Sequence, residues 1–318
     1  MKPPIFISSF ADDLIAYIDF KARTGKTGHS RIYYLRHFDT WATRHSITKL
    51  DRGAVEGWVA DELTHCSTHR SWMSYIRDFG RWMRIHRDPS AHVLGDEWKA
   101  GIVHSTPYLM SSTDIEAFFT ATRTVPAHSP WAWQATAFFL LMHSAGLRTR
   151  EVRALTPANV DFNDRHIMIA TSKSGRERKL PLTDAVMGIL DSCHRRSRSQ
   201  FPNRQRFFVS STGAGLSPSS IGVMFNRIWD HAGLARPAGG PRPRSYDFRH
   251  HFAYANIERW MREGTDVNTM LPYLSAYMGH AGIDSTLYYV HTSPDFMDSY
   301  AELAGKTANT VIPEPDAR

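Results

Sequence analysis

The chain has 318 residues, more than one compact domain usually holds, so two domains with separate cores are expected. Hydrophobic residues make up 42% of the sequence and nine residues are tryptophan, which excludes a largely disordered chain. The formal net charge of +7 suits a polyanionic partner, although a basic excess of this size can also serve solubility alone. Two distant cysteines exclude a disulfide framework, and neither a signal peptide nor a stretch near the ~20 apolar residues of a membrane span is present.

The first hundred residues are predicted to form four helices. Apolar residues recur at helical spacing over 10–23, 30–45 and 51–63. The fourth helix is predicted to start at Ser67 or Thr68, with its aromatic and aliphatic residues on one stripe. Its opposite face carries basic residues that are candidate DNA contacts or simply a solvated surface: Arg70, Arg77, Arg81 and Arg84.

Helical periodicity fades at residues 89–107, which predicts a linker. Thr113 and Glu116 match a capping box at the start of the next helix. Residues 131–144 form a very apolar stretch that predicts a buried helix, and Gly146 follows where helices commonly stop in the left-handed conformation. A short helix is predicted over 149–155.

Two strands, residues 166–171 and 178–182, are predicted to form a hairpin with Lys173 near its tip. A further short strand is predicted over 207–210. The remainder is predicted to be helical, over residues 183–198, 217–232, 246–263, 267–278 and 284–290.

Several dispersed motifs could carry chemistry, and each is weak by itself. The run Gly-Leu-Arg-Thr-Arg-Glu places Arg148 between a helix stop and a helix start, where its guanidinium can enter a cleft. Tyr-Asp-Phe-Arg-His-His-Phe places Arg249 near another helix start, and a Gly-His pair ends at His280. Tyr288 and Tyr289 follow. Each feature in isolation has an equally good structural explanation. The arginines could lie on the surface, the histidine could be a hydrogen-bonded residue in a plain turn, and the two tyrosines could belong to the core.

The order and spacing of these motifs resemble the tyrosine recombinase (phage integrase) family. The series is Gly-Leu-Arg-x-x-Glu, a hairpin lysine, an arginine followed by histidine, a Gly-His pair, and a tyrosine nine residues later. The similarity runs from about residue 107 to residue 299.

The resemblance implies a mainly α fold in which an α+β catalytic domain with a small β-hairpin or sheet follows a helical bundle. The bundle is similar in size and helix count to the family's core-binding (SAM-like) DNA-binding domain. The expected boundaries are 1–88 for the bundle, 89–107 for the linker, 108–300 for the catalytic domain and 301–318 for a tail that could be exchanged between protomers.

The resemblance also implies roles for individual residues. Tyr289 would attack phosphorus and form a 3′-phosphotyrosyl link, with Tyr288 as its weaker rival. Arg148 and Arg249 would hold the scissile phosphate, for which two planar, always-charged guanidinium groups are chemically suited. His280 would hydrogen-bond the same phosphate.

The hairpin lysine, Lys173, would protonate the leaving 5′ oxygen. Lys179 is the alternative and fits the family pattern less well. One position departs from the family, because Tyr246 stands where a histidine usually accepts the nucleophile's proton. A phenol is a poor general base, and His250 or His251 could take that role.

The function implied is a site-specific recombinase for integration, excision or transposition of a mobile element. Double-stranded DNA would be the partner, bound by a homotetramer on paired sites with accessory DNA-bending or directionality proteins, in the cytoplasm at the nucleoid. No cofactor or metal is expected, because the histidines lack metal-ligand spacing. The alternatives are a catalytically impaired architectural DNA-binding protein and a type IB topoisomerase-like enzyme that relaxes DNA.

Overall fold

The computed structural model describes residues 5–25, 28–65, 72–98, 107–170, 177–280, 282–283 and 285–287. Contacts divide the chain into two compact units, Met1–His104 and Ser105–Arg318. The described residues are mainly helical with one small sheet, so the predicted fold class is confirmed.

Four α-helices build the described part of the first unit: α1 (Ala11–Arg23), α2 (His29–Arg44), α3 (Arg52–His65) and α4 (Met73–His86). They match the predicted helices, except that the predicted start of α4 lies outside the described residues. The apolar stripes meet in a core that includes Leu14, Tyr17, Phe38, Trp58 and Phe79. A short 3-10 turn, Asp96–Trp98, follows α4.

The arginines on α4 do not form one solvent-facing row. Arg77 is only 8% exposed, and its Nε and Nη2 donate to the carbonyls of Leu94 and Gly95 at 2.9 and 2.8 Å. The expectation of an exposed face is wrong at Arg77, because the chain after α4 folds back and its carbonyls need donors. Arg81 and Arg84 are exposed, although Arg84 Nε donates to a carbonyl as well. Arg70 lies outside the described residues.

Seven α-helices build the described part of the second unit: α5 (Ser112–Ala121), α6 (Trp131–Ser144), α7 (Thr149–Ala154), α8 (Asp184–Gln200), α9 (Pro218–His231), α10 (Asp247–Arg262) and α11 (Val267–Met278). The predicted capping box of α5 is wrong by two residues. Ser111 Oγ accepts from Asp114 N at 3.1 Å, and the Asp114 carboxylate accepts from Ser111 N at 2.9 Å. An aspartate three residues after a serine therefore provides the reciprocal cap instead of Thr113 and Glu116.

The sheet has three antiparallel strands in the order β1 (Val160–Asp161), β2 (His166–Ile169) and β3 (Arg178–Pro181). The predicted hairpin corresponds to β2 and β3, with Ile169 opposite Arg178, and β1 was not predicted as a strand. Residues 171–176, which include Lys173, lie outside the described residues. The predicted strand at 207–210 is reduced to a single bridge between Val209 and Gly215.

Helix α6 lies in the main core of the second unit and is buried around most of its circumference, as its uniformly apolar sequence predicts. Helices α10 and α11 pack on one another through a separate small cluster that includes Ile257, Trp260 and Leu274. This packing fixes the end of α6, the first turn of α10 and the end of α11, from which the candidate site is built.

Candidate active site

Arg148 is placed by the turn between α6 and α7. Gly146 has φ of 58°, and a side chain there would collide with Phe252 on α10, so the turn requires glycine. Arg148 is the extended residue immediately before α7. Its backbone N–H donates to Glu151 Oε2 at 2.9 Å and its Nη1 donates to Glu151 Oε1 at 2.8 Å. The motif Gly-Leu-Arg-x-x-Glu is therefore a local structure that orients one guanidinium.

Arg249 connects three separate parts of the second unit. It lies in the first turn of α10 and is fully buried. Its Nη1 donates to the carbonyl of Gly146, and its Nη2 donates to the carbonyl of Met278 at 2.8 Å. Nη2 also lies 2.8 Å from His280 Nε2. The two predicted phosphate-binding arginines are thus joined through the same carbonyl, since Arg148 Nη1 also donates to Met278 at 3.3 Å.

His280 follows the end of α11, where Gly279 adopts a left-handed conformation with φ of 66°. Because a guanidinium can only donate, His280 Nε2 accepts from Arg249. Nδ1 then carries the hydrogen and donates to Thr286 Oγ1 at 2.7 Å. Burial, with Arg249 and Arg148 nearby, lowers the pKa of His280 to about 3. The imidazole is therefore neutral at physiological pH.

Arg178, which the sequence motifs did not single out, is part of the same cluster. Its Nη2 and Nη1 donate to both oxygens of Glu151 at 2.8 and 3.2 Å, and its Nε donates to the carbonyl of Tyr277 at 2.9 Å. A signal was available in the sequence, because strand alternation puts Arg178 on the same face as the buried Leu180. Lys179 points to the other face and is exposed.

Two guanidinium groups, those of Arg148 and Arg178, bind the Glu151 carboxylate, and Arg249 joins the same cluster through the carbonyl of Met278, which leaves an excess of positive charge. Burial alone would raise the pKa of Glu151, but hydrogen bonds from Arg178 and Arg148 outweigh it and lower the pKa. The carboxylate is 2% exposed and stays ionised. Such a cluster is chemically suited to bind a tetrahedral anion and to stabilise charge that develops on its oxygens.

Tyr246 immediately precedes α10, one turn before His250. Its side chain is 36% exposed and its ring lies 5.1 Å from that of His250 in an edge-on arrangement. Burial and the charges of Arg244 and Arg249 lower the pKa of His250 to about 4. His251 faces elsewhere and stacks on His143 at 5.2 Å. Of the two histidines considered as substitute bases, His250 is the one beside Tyr246.

The structure therefore brings Arg148, Arg249 and His280 together, with Tyr246 at the start of the same helix as Arg249. Lys173, Tyr288 and Tyr289 lie outside the described residues.

One group in the described part of the chain has ligand atoms close enough for a metal ion: Asp161, Asp164 and His166, with these atoms within 4.8 Å of one another. It shares no residue with the arginine cluster. Asp161 Oδ1 already accepts from two backbone N–H groups of the β1–β2 turn, which is a turn-forming role. In the described residues, no helix combines the length and apolar character needed to cross a membrane.

Comparison with known proteins adds an independent observation. The profile of the phage integrase family matches residues 109–295. A putative integrase/recombinase of Sinorhizobium fredii, y4rB, is 26% identical over 309 residues, which cover 92% of this chain and 95% of that protein.

Two solved structures share the fold. The XerH site-specific recombinase in a post-cleavage complex with palindromic difH DNA is 16% identical, with a TM-score of 0.63 over 94% of this chain and 85% of that one. The Tn1549 transposon integrase in complex with transposon right end DNA is 14% identical, with a TM-score of 0.61 over 92% of this chain and 99% of that one.

Proposed function

Because the chain belongs to the phage integrase family, we propose that it is a site-specific recombinase that cleaves and rejoins DNA through a 3′-phosphotyrosyl intermediate at Tyr289. The convergence of Arg148, Arg249 and His280 at the end of α11 carries this proposal. The named functions of y4rB, XerH and the Tn1549 integrase support it, because each is an integrase or recombinase.

The scissile phosphate enters between Arg148 and Arg249. In the structure their N–H groups donate to the carbonyls of Met278, Gly279 and Gly146. A phosphate oxygen is anionic and therefore a stronger acceptor than a carbonyl, so it takes over some of these donors. The two guanidinium groups then stabilise the additional charge of the pentacoordinate phosphorane.

Tyr289 Oη forms the new bond to phosphorus as the bond to the 5′ oxygen breaks, and Lys173 supplies the proton that the leaving oxygen needs. The phosphotyrosyl bond conserves the energy of the broken phosphodiester, so that the reverse attack by a 5′ hydroxyl rejoins the strand. An anionic phosphate beside His280 raises its pKa, and the protonated imidazole then donates from Nε2 to a phosphate oxygen instead of accepting from Arg249.

Tyr246 donates a hydrogen bond to the phosphate instead of accepting the proton of Tyr289. Its phenol is a poor base, whereas the imidazole of His250 beside it is neutral and contains a basic nitrogen in either tautomer. His250 therefore accepts the proton of Tyr289 as the new bond to phosphorus forms.

The first unit binds duplex DNA mainly through phosphate contacts, to which the exposed Arg81 and Arg84 contribute. Four protomers pair two sites, and the tail 301–318 docks on a neighbouring protomer. The enzyme integrates, excises or transposes a mobile element, with accessory DNA-bending or directionality proteins.

The test is covalent trapping on nicked duplexes that tile the DNA flanking the gene. The wild-type chain and Tyr288→Phe are expected to form an adduct that resists denaturation, and Tyr289→Phe is expected to form none. An adduct that persists in Tyr289→Phe would refute the nucleophile. Binding without any adduct would favour the architectural alternative, and relaxation of plasmids without a specific site or recombinant products would favour the topoisomerase alternative.

A further inference from the structure

The carboxylate of Glu151 is held from two sides. Arg178 approaches with both terminal nitrogens, one to each oxygen, and Arg148 approaches with its backbone N–H and Nη1. The side chains are 2% exposed for Glu151, 9% for Arg178 and 17% for Arg148. All four acceptor positions of this carboxylate are therefore occupied, and Arg148 is the more accessible of the two arginines.

Because Arg178 donates to Glu151 with both terminal nitrogens, it limits the contacts that the Arg148 guanidinium can make with the same carboxylate. Arg178 already occupies the side of the carboxylate at which a guanidinium could bind through both terminal nitrogens. Arg148 therefore reaches Glu151 with one terminal nitrogen only. Its other terminal nitrogen, Nη2, donates to the carbonyl of Gly279 at 3.0 Å, next to His280. Without Arg178, a buried carboxylate with one remaining counter-charge would attract both nitrogens of Arg148.

The end of α11 is also shaped around Arg178. Its Nε donates to the carbonyl of Tyr277, and a side chain on Gly279 would overlap its guanidinium. The glycine before His280 thus serves two purposes, since it takes the left-handed conformation and leaves space for Arg178. Arg178 begins β3, so it links the sheet to α7 and to the end of α11.

We infer that Arg178 is a positioning residue for the cleavage reaction: by holding Glu151, it keeps Nη2 of Arg148 directed at the scissile phosphate. This inference rests on the proposed function. Arg178 itself does not contact the phosphate and acts through Glu151 and Arg148. Its removal should slow the chemical step while leaving DNA affinity, which is spread over many phosphates, nearly unchanged.

The experiment measures single-turnover adduct formation and, separately, equilibrium binding of the nicked duplex trapped by the wild-type chain. Arg178→Met is expected to lower the cleavage rate constant by about 100-fold with less than about 3-fold change in affinity. Arg178→Lys, which retains the charge without the planar fork, should recover only part of the rate, and it replaces Arg178→Met if that variant does not fold. Arg262→Met, which removes an exposed arginine on α10, is the matched control.

The double variant Arg178→Met, Glu151→Gln distinguishes positioning from simple structural support. A neutral amide no longer attracts Arg148 strongly, so the double variant should cleave at least ~5-fold faster than Arg178→Met alone. Wild-type cleavage by both Arg178 variants would overturn the inference and leave the proposed function intact. Equal losses of cleavage, binding and thermal stability without recovery in the double variant would also overturn it. A wild-type chain that forms no adduct would contradict the proposed function itself.

Discussion

Arg77 in the first unit and Arg249 in the second are both buried in helices, and both donate to backbone carbonyls. Arg77 reaches two carbonyls of the loop that follows its own helix. Arg249 reaches the carbonyl of Gly146 in the turn after α6, the carbonyl of Met278 at the end of α11 and a nitrogen of His280. The first arginine secures a local fold-back of the chain, whereas the second lies where three parts of its unit meet.

The difference teaches that burial and satisfied hydrogen bonds do not by themselves identify a functional arginine. The neighbours do. Arg249 shares one of its carbonyl acceptors, that of Met278, with Arg148 and contacts His280, so several groups that can bind an anion converge there. The acceptors that Arg77 uses are the loop carbonyls of Leu94 and Gly95, which explain its burial without any ligand.

The largest effect is expected at Arg249. In Arg249→Lys, one ammonium cannot reproduce the planar set of donors, so the single-turnover cleavage rate should fall by about 100- to 1000-fold. Binding of the nicked duplex should change little. If Arg249→Lys cleaved within about 10-fold of the wild-type rate, Arg249 would not be a functional arginine, and its contrast with Arg77 would be wrong.

Acid should destabilise the second unit through the buried histidines around α6 and α10. The folded pKa values of His143 and His250 are lowered to about 4 by burial, and the ordinary value is 6.5. Between these values the unfolded chain binds more protons, so the free energy of unfolding falls as the pH drops from 6.5 towards 4. At pH 5 each histidine should remove on the order of 1–2 kcal/mol.

Denaturant titrations from pH 7.5 to 5 measure this loss, with His143→Phe as the control. Phenylalanine retains the ring packing on Phe119 and Phe248 but cannot titrate. The control should show a shallower dependence on pH than the wild-type chain. Identical slopes would contradict the assignment of His143.

A smaller effect is expected for Arg77→Met, and it should be on stability alone. The carbonyls of Leu94 and Gly95 lose their donors, which should lower the free energy of unfolding by about 2 kcal/mol. The cleavage rate constant of the folded fraction should match the wild type. If Arg77→Met lost cleavage activity without losing stability, Arg77 would have a functional role like that of Arg249, and the proposed contrast would be wrong.

The smallest effect is expected for Arg81→Gln on α4. Its exposed side chain should contribute one phosphate contact, so DNA affinity at about 0.1 M salt should fall roughly 3-fold. The slope of log affinity against log salt concentration should decrease by about 0.9. Arg77→Met serves as the comparison, because a buried guanidinium should leave the slope unchanged; an unchanged slope in Arg81→Gln as well would rule out this contact.

The sequence could predict the helices of both units because their apolar residues recur at helical spacing, as in residues 131–144, which match α6 residue for residue. It also predicted the left-handed stop at Gly146, where the conformation is local. The cap of α5 was misplaced because two overlapping Ser/Thr and Asp/Glu pairs fit the same pattern. The burial of Arg77 could not be predicted, since it depends on a loop that folds back from seventeen residues away.

Sequence by itself determined the order of Arg148, Arg249 and His280, because motif spacing is a property of the linear chain. Only the tertiary structure decided that their side chains meet at the end of α11, and that Arg178 shares Glu151 with Arg148. Apart from the local pair Arg148 and Glu151, these contacts join residues 27 to 131 positions apart. Local propensities carry no information about such distances, which the packing of α6, α7, α10, α11 and β3 sets.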